Sequence, residues 1–247
     1  MPPGSAFHVA ATWNSSQVKA ALSALAPKQW AFATSLALNT TATTIKTDEV
    51  GTMKRVFDRP TPFTLNSLRL ARSTKTNLEA RVWFKDPPRL TEREHFLLPQ
   101  VYGGERPQKR FEQTMVRAGF LPRGKALVPT SAAPLDAYGN VSRGIYSKIL
   151  ADLHASPIGA NRNPRKRAAS FFYSRGEGLK RGIWQRSRGG RVLGGRMGGS
   201  IMPIFLETRM PRYRARFAFF DVAEKTASRV YESAFAAAAD RTLRTAR

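Results

Sequence analysis

The chain has 247 residues, 42% of them hydrophobic, and 41 Lys and Arg against 17 Asp and Glu, a net charge of +24. That is enough apolar material for a buried core and far more charge than solubility requires, so the composition points to a polyanionic partner, most simply nucleic acid. The absence of cysteine excludes disulfides and thiolate metal sites, and no stretch reaches the ~20 apolar residues of a membrane span.

The N-terminus, MPPGSAFHVAATW, lacks the basic region of a secretory signal, which favours synthesis and assembly in the cytoplasm. Asn14 or Ser15 caps a first expected helix, with Val18, Ala21, Leu22 and Leu25 on one apolar face. Pro27 ends it and opens the next, from Lys28 to about Phe57. There Ala31, Ser35, Leu38, Ala42 and Ile45 form a stripe of mostly small residues. Its threonines lower helicity, but the alternation a strand needs is missing, so helix is expected.

DRPTP, Asp58 to Pro62, breaks the chain. TLNSLRLAR and LEARVWFK then flank the polar turn STKTN, a hairpin. In its second strand Ala80, Val82 and Phe84 alternate with Arg81, Trp83 and Lys85. A helix is expected from Arg106 or Pro107 to Ala118, stopped by Gly119. A looped stretch rich in Pro and Gly leads to a tight turn at Tyr138-Gly139-Asn140. Ser142 is the expected cap of a short helix bearing Ile145, Ile149, Leu150 and Leu153.

GANRNPRKR, Gly159 to Arg167, reads as a basic loop carrying Arg162, Arg165, Lys166 and Arg167. Three strand-like runs follow, ASFFYS, LKRGIWQ and IMPIFLE, an antiparallel meander. The last two are joined by RSRGGRVLGGRMGGS, Arg186 to Ser200, with four arginines (Arg186, Arg188, Arg191, Arg196), six glycines and no acid. Between hydrophobic strands, it reads as a tethered flexible basic loop rather than a disordered arginine-glycine tail. A long helix closes the chain, with Phe220, Ala223, Ala227, Val230, Tyr231, Ala234 and Ala238 in a stripe. Arg241, Arg244 and Arg247 favour its C-terminal dipole.

Charge is concentrated. Gly159 to Arg216 holds fifteen Lys and Arg against Glu177 and Glu207. The eight basic residues Arg162, Arg165, Lys166, Arg167, Arg186, Arg188, Arg191 and Arg196 are the expected contacts, either to phosphates or to acidic surfaces of a neighbouring subunit. No base-reading motif accompanies them. His8, His95 and His154 are scattered, and no spacing suggests a metal or a phosphate loop. A two-metal nuclease would need acids such as Asp58, Asp86, Glu92 and Glu94 to converge. The expectation is therefore no catalytic site, no metal and no cofactor. The expected fold is α+β: long N- and C-terminal helices packed on a small antiparallel sheet with extended basic loops. It is read as one domain, 1–247, with an insertion over 86–165 holding two short helices and a flexible loop at 186–200.

The order of these pieces resembles the minor tail, tail-completion (minor tail protein Z-like) and neck structural proteins of tailed bacteriophages. KQWAFATSLALNTTATTIKTDEV, with Ala37, Leu38 and Asn39 at its centre, is similar to their N-terminal helix. VFDRPTPFTLNSLRLARSTKTNLEARVWFKD is similar to the hairpin that follows. RGIWQR and then PIFLETRMPRYRARFAFFDVAEKTASRVYESAFAAAADRTLRTAR are similar to their strand and terminal helix. VYGGERPQKRFEQTMVRAGFLPRG and VPTSAAPLDAYGNVSRGIYSKIL look like insertions found in phage structural proteins. The resemblance implies a non-enzymatic virion protein of the neck or tail, forming a homo-oligomeric ring around the DNA channel. Its partners would be other neck or tail proteins and packaged double-stranded DNA, with no membrane. The alternative from charge alone is a soluble nucleic-acid-binding protein without sequence specificity.

Overall fold

A computed structural model describes residues 27–85, 95–153, 170–186, 191–192, 195–196 and 200–245. In chain order these form α1 (Pro27–Val56), α2 (Pro62–Leu65), β1 (Leu68–Ala71), β2 (Arg81–Phe84), α3 (Leu98–Tyr102) and β3 (Gly104–Glu105). Next come α4 (Arg110–Arg117), β4 (Lys125–Pro129), α5 (Arg143–Asp152), β5 (Phe171–Ser174) and β6 (Gly182–Arg186). The remainder are β7 (Arg191–Val192), β8 (Gly195–Arg196), β9 (Ile201–Arg209), β10 (Arg212–Tyr213) and α6 (Phe219–Thr245). The fold is α+β. The expected first helix, over Asn14 to Leu25, lies outside the described residues.

Contacts fall into two compact units where the sequence reading has one domain with an insertion. The first joins the N-terminal part through Gly103 to Arg214–Arg247; the second is Gly104–Tyr213. The 86–165 stretch is therefore divided between them. Among its described residues it holds three helices, α3 being the one not foreseen.

In the first unit α1 and α6 run antiparallel. Ala33 and Ala37 pack against Phe235, Ala238 and Ala239, so small residues on both helices let the backbones approach. Further along, Ala42 and Ile45 meet Ala223 and Ala227, and the β1–β2 hairpin covers them with Leu70, Ala80 and Val82. Met53 ends in an aromatic cluster with Phe217 and Phe219. The threonine-rich centre of α1 is helical, and four of its hydroxyls find their acceptors within the helix. The hydroxyls of Thr43, Thr44, Thr47 and Thr52 each donate to the carbonyl four residues back, at 2.7–3.0 Å. Asn39 holds the hairpin end as a strand would: its amide donates to the Ser73 carbonyl at 3.1 Å and its carbonyl accepts from the Ser73 N–H at 2.8 Å.

In the second unit a four-stranded antiparallel sheet has the order β4-β9-β6-β5. The expected meander is its β5-β6-β9 part. The long helices pack, as expected, on a small antiparallel sheet, the β1–β2 hairpin of their own unit, while α4 and α5 supply the residues packed with the four-stranded sheet. Phe111, Met115, Tyr146 and Ile149 share one core with Leu127, Phe171, Ile183 and Phe205. The stretch read as loop after Gly119 contains β4, the edge strand on β9. α4 starts three or four residues later than expected, because Lys109 is extended and its N–H is held at 2.7 Å by the Glu112 carboxylate. Gly119, with φ of 76°, ends it as foreseen. The 136–140 turn is also as read, with Asp136 Oδ1 accepting from the Tyr138 and Asn140 N–H groups at 2.9 Å. Ser142 occupies the cap position of α5, but its hydroxyl makes no capping bond.

Candidate nucleic-acid interface

The second unit holds 21 Lys and Arg against six Asp and Glu, +15 of the total +24 in 110 residues. Four of those six carboxylates accept hydrogen bonds from within the unit. Glu112, in the first turn of α4, takes both Arg106 guanidinium nitrogens, at 2.6 and 2.8 Å, and the N–H groups of Lys109 and Leu127. Burial works to raise its pKa, but Arg106 and the two backbone donors outweigh burial and hold it below the ordinary range. Glu207 on β9 accepts from the Tyr173 hydroxyl at 2.6 Å and pairs with Arg181 at 3.3 Å. Burial first, and then this carboxylate, push the Tyr173 pKa upward. Asp152 Oδ2, at the end of α5, accepts from the Ser170 and Phe171 N–H groups at 2.8 and 3.0 Å. Asp136 serves the turn described above. Exposed cations such as Arg110, Arg123, Arg143, Arg175, Lys180 and Arg209 remain outward.

The expected contact residues divide three ways. Arg186 ends β6, is exposed, and sets its guanidinium 4.5 Å from the centroid of the Phe172 ring. Arg191 and Arg196 are Cα partners in the two-residue β7–β8 ladder. Arg162, Arg165, Lys166, Arg167 and Arg188 lie outside the described residues. The flanks of the 159–167 stretch do meet, through the Asp152–Ser170 bonds.

Two pieces of the 186–200 stretch are described. Arg186 pairs with Ile201, and Gln185 with Met202, at the end of the β6–β9 ladder; Arg191 pairs with Arg196, and Val192 with Gly195, in β7–β8. The residues 187–190, 193–194 and 197–199 lie outside the described residues.

Two aromatic residues of this surface were not singled out from the sequence. Phe171, Ile183 and Phe205 point into the core, so the alternating residues Phe172 and Trp184 stand on the opposite sheet face, where they are register partners. The period-two pattern in SFFYS carried that signal.

Elsewhere, His95 is buried between the rings of Phe84 and Phe96, at 4.9 and 4.7 Å, and its Nδ1 accepts from the Leu97 N–H at 3.3 Å. His8, His154, Asp86, Glu92 and Glu94 lie outside the described residues. Among the described residues no group of three His, Asp or Glu could hold a metal ion, and no helix is long and apolar enough to cross a membrane. A cleft of about 290 Å³ in the first unit is lined by residues including Trp30, Leu38, Ile45, Val82 and Tyr231, and among the described residues of its wall there is no carboxylate, histidine or cation. Compared with protein-family models, curated proteins and solved structures, the chain matches none.

Proposed function

We propose that the protein is a structural component of a tailed-bacteriophage particle, at the head–tail junction or in the tail. It assembles as a homo-oligomeric ring and turns its basic second unit toward the DNA backbone. The observation that carries the DNA contact is the division of charge in that unit. Four of its six carboxylates are engaged by internal donors while most of its described arginines and lysines are exposed, an arrangement that stores repulsion unless a polyanion neutralises it.

The virion placement rests on the order of sequence elements and their resemblance to phage neck and tail proteins. Assembly draws support from exposed apolar residues, among them Phe63 at 71% and Tyr102 at 59% exposure. Mass spectrometry of purified particles tests the placement: a fixed copy number per virion is expected, and absence from mature particles sinks it. Native mass measurement tests the ring. The same charge division suits a soluble nucleic-acid-binding protein without sequence specificity. That reading prevails if the chain is absent from particles yet binds short duplexes as a monomer.

A further inference from the structure

The open face of the second unit's sheet combines flat rings with positive charge. We propose that Phe172, Trp184 and Arg186 form a stacking surface for unpaired nucleobases, so that this unit favours single-stranded over double-stranded nucleic acid. The inference rests on the nucleic-acid contact proposed above.

Phe172 and Trp184 are cross-strand partners on β5 and β6, both half-buried on the face away from the core. Trp184 is oriented by its Nε1–H, which donates to the Lys180 carbonyl at 2.9 Å. The Arg186 guanidinium over Phe172 adds a second planar, cationic group. The register places Ser174, Gly182, Pro203, Leu206, Thr208 and Val128 on the same face, and none of these is acidic. Glu207 sits at the alternate position, bonded to Tyr173. Exposed Arg175 and Lys180 flank the strip at the β5–β6 turn, and Arg186 flanks it at the other end.

The partner that fits must offer flat π-faces and negative charge together. A duplex presents phosphates but keeps its base faces stacked inside. An unpaired strand presents both, and stacking on aromatic or guanidinium planes is sequence-tolerant. A basic loop alone would not separate the two forms, since phosphate contact reads charge.

The test is fluorescence anisotropy of the full chain with a labelled 20-nucleotide oligothymidylate and with a labelled 20-base-pair duplex, each over a salt series. The oligothymidylate is expected to bind at least about tenfold more tightly at equal salt. Trp184→Leu is expected to weaken it about tenfold and leave the duplex affinity unchanged, while Trp184→Phe keeps most of the preference. If Trp184→Leu fails to fold by circular dichroism, the preference of the unaltered chain and the Trp184→Phe variant decide. Equal affinity for both ligands overturns the stacking surface while leaving the charge-based contact standing. Failure to bind either at low salt sinks both. A lowered oligomer mass in Trp184→Leu with unchanged oligothymidylate affinity also overturns the proposal, and assigns this face to a second copy of the chain.

Discussion

Arg106 grips both carboxylate oxygens of Glu112 at 2.6 and 2.8 Å, and that carboxylate, 1% exposed, also takes the N–H groups of Lys109 and Leu127. One side chain thus ties the approach to α4, the first turn of α4 and strand β4. The bidentate geometry and the two backbone donors offset the desolvation that a buried ion pair otherwise suffers.

Glu112→Ala leaves Arg106 partly buried without its partner and orphans the Leu127 N–H. A loss of roughly 3–5 kcal/mol is expected in urea denaturation. The pH dependence has a definite sign. The folded pKa lies below the ordinary carboxylate range, so this stabilisation is present above the unfolded pKa and is lost as pH falls through the folded one. Glu112→Ala should flatten that acid limb; an unchanged limb would refute the assignment.

Glu49 in α1 has the opposite sign. It is 0% exposed, and neither carboxylate oxygen has a hydrogen-bond partner. Burial, with the neighbouring Asp48 charge added, pushes its pKa up to about 8. The folded chain then holds a proton that the unfolded chain releases, so stability falls as pH rises from the ordinary carboxylate range through 8. Glu49→Met removes the buried acid and should raise stability by roughly 2–4 kcal/mol at pH 8.5. Thermal melts across pH 5 to 9 check it: the variant's curve should be flatter on the alkaline side.

Gly182 cannot become alanine without moving the sheet. Its φ is +148°, and an added Cβ would stand 2.2 Å from the Phe205 carbonyl oxygen and 2.9 Å from Leu206 Cα. Gly182→Ala should cost about 2 kcal/mol or more. Hydrogen exchange should show the loss at β6 and β9, with α1 and α6 unaffected. Protection of β6 equal to wild type would contradict the close approach.

The arginine-rich stretch 186–200 should act through charge. Replacing Arg186, Arg188, Arg191 and Arg196 together by Gln should lower the slope of log affinity against log salt by roughly 3–4 for a duplex. A slope unchanged from wild type would move the contact elsewhere on the unit.

Periodicity made the long elements legible. The α1 and α6 helices, the β1–β2 alternation and the β5-β6-β9 meander all follow from spacing that a single chain segment carries, although Ala33 and Ala37, which meet Phe235, Ala238 and Ala239, lie off the stripe read for α1. β4 did not declare itself, because KALVP is an edge strand whose place depends on β9, about eighty residues away, and on Glu112 holding the Leu127 N–H. The inward turn of the carboxylates was equally hidden. A sequence shows that Glu112, Asp152 and Glu207 are few among many cations, not that backbone donors await them. Arg186 was found by charge, whereas Phe172 and Trp184 became visible as a pair only when β5 and β6 were placed in register.

The β5–β6 hairpin keeps one register from Phe171–Gln185 to Ser174–Gly182, so its reach and its facing are coupled. Adding one residue to each strand would lengthen it by about 3.4 Å and turn its tip over; adding two to each strand would lengthen it by about 7 Å and restore the original facing. One residue added to a single strand would force a bulge and bend the hairpin. Insertions that keep the facing of Arg175 and Lys180 at its turn should therefore come in matched pairs of two.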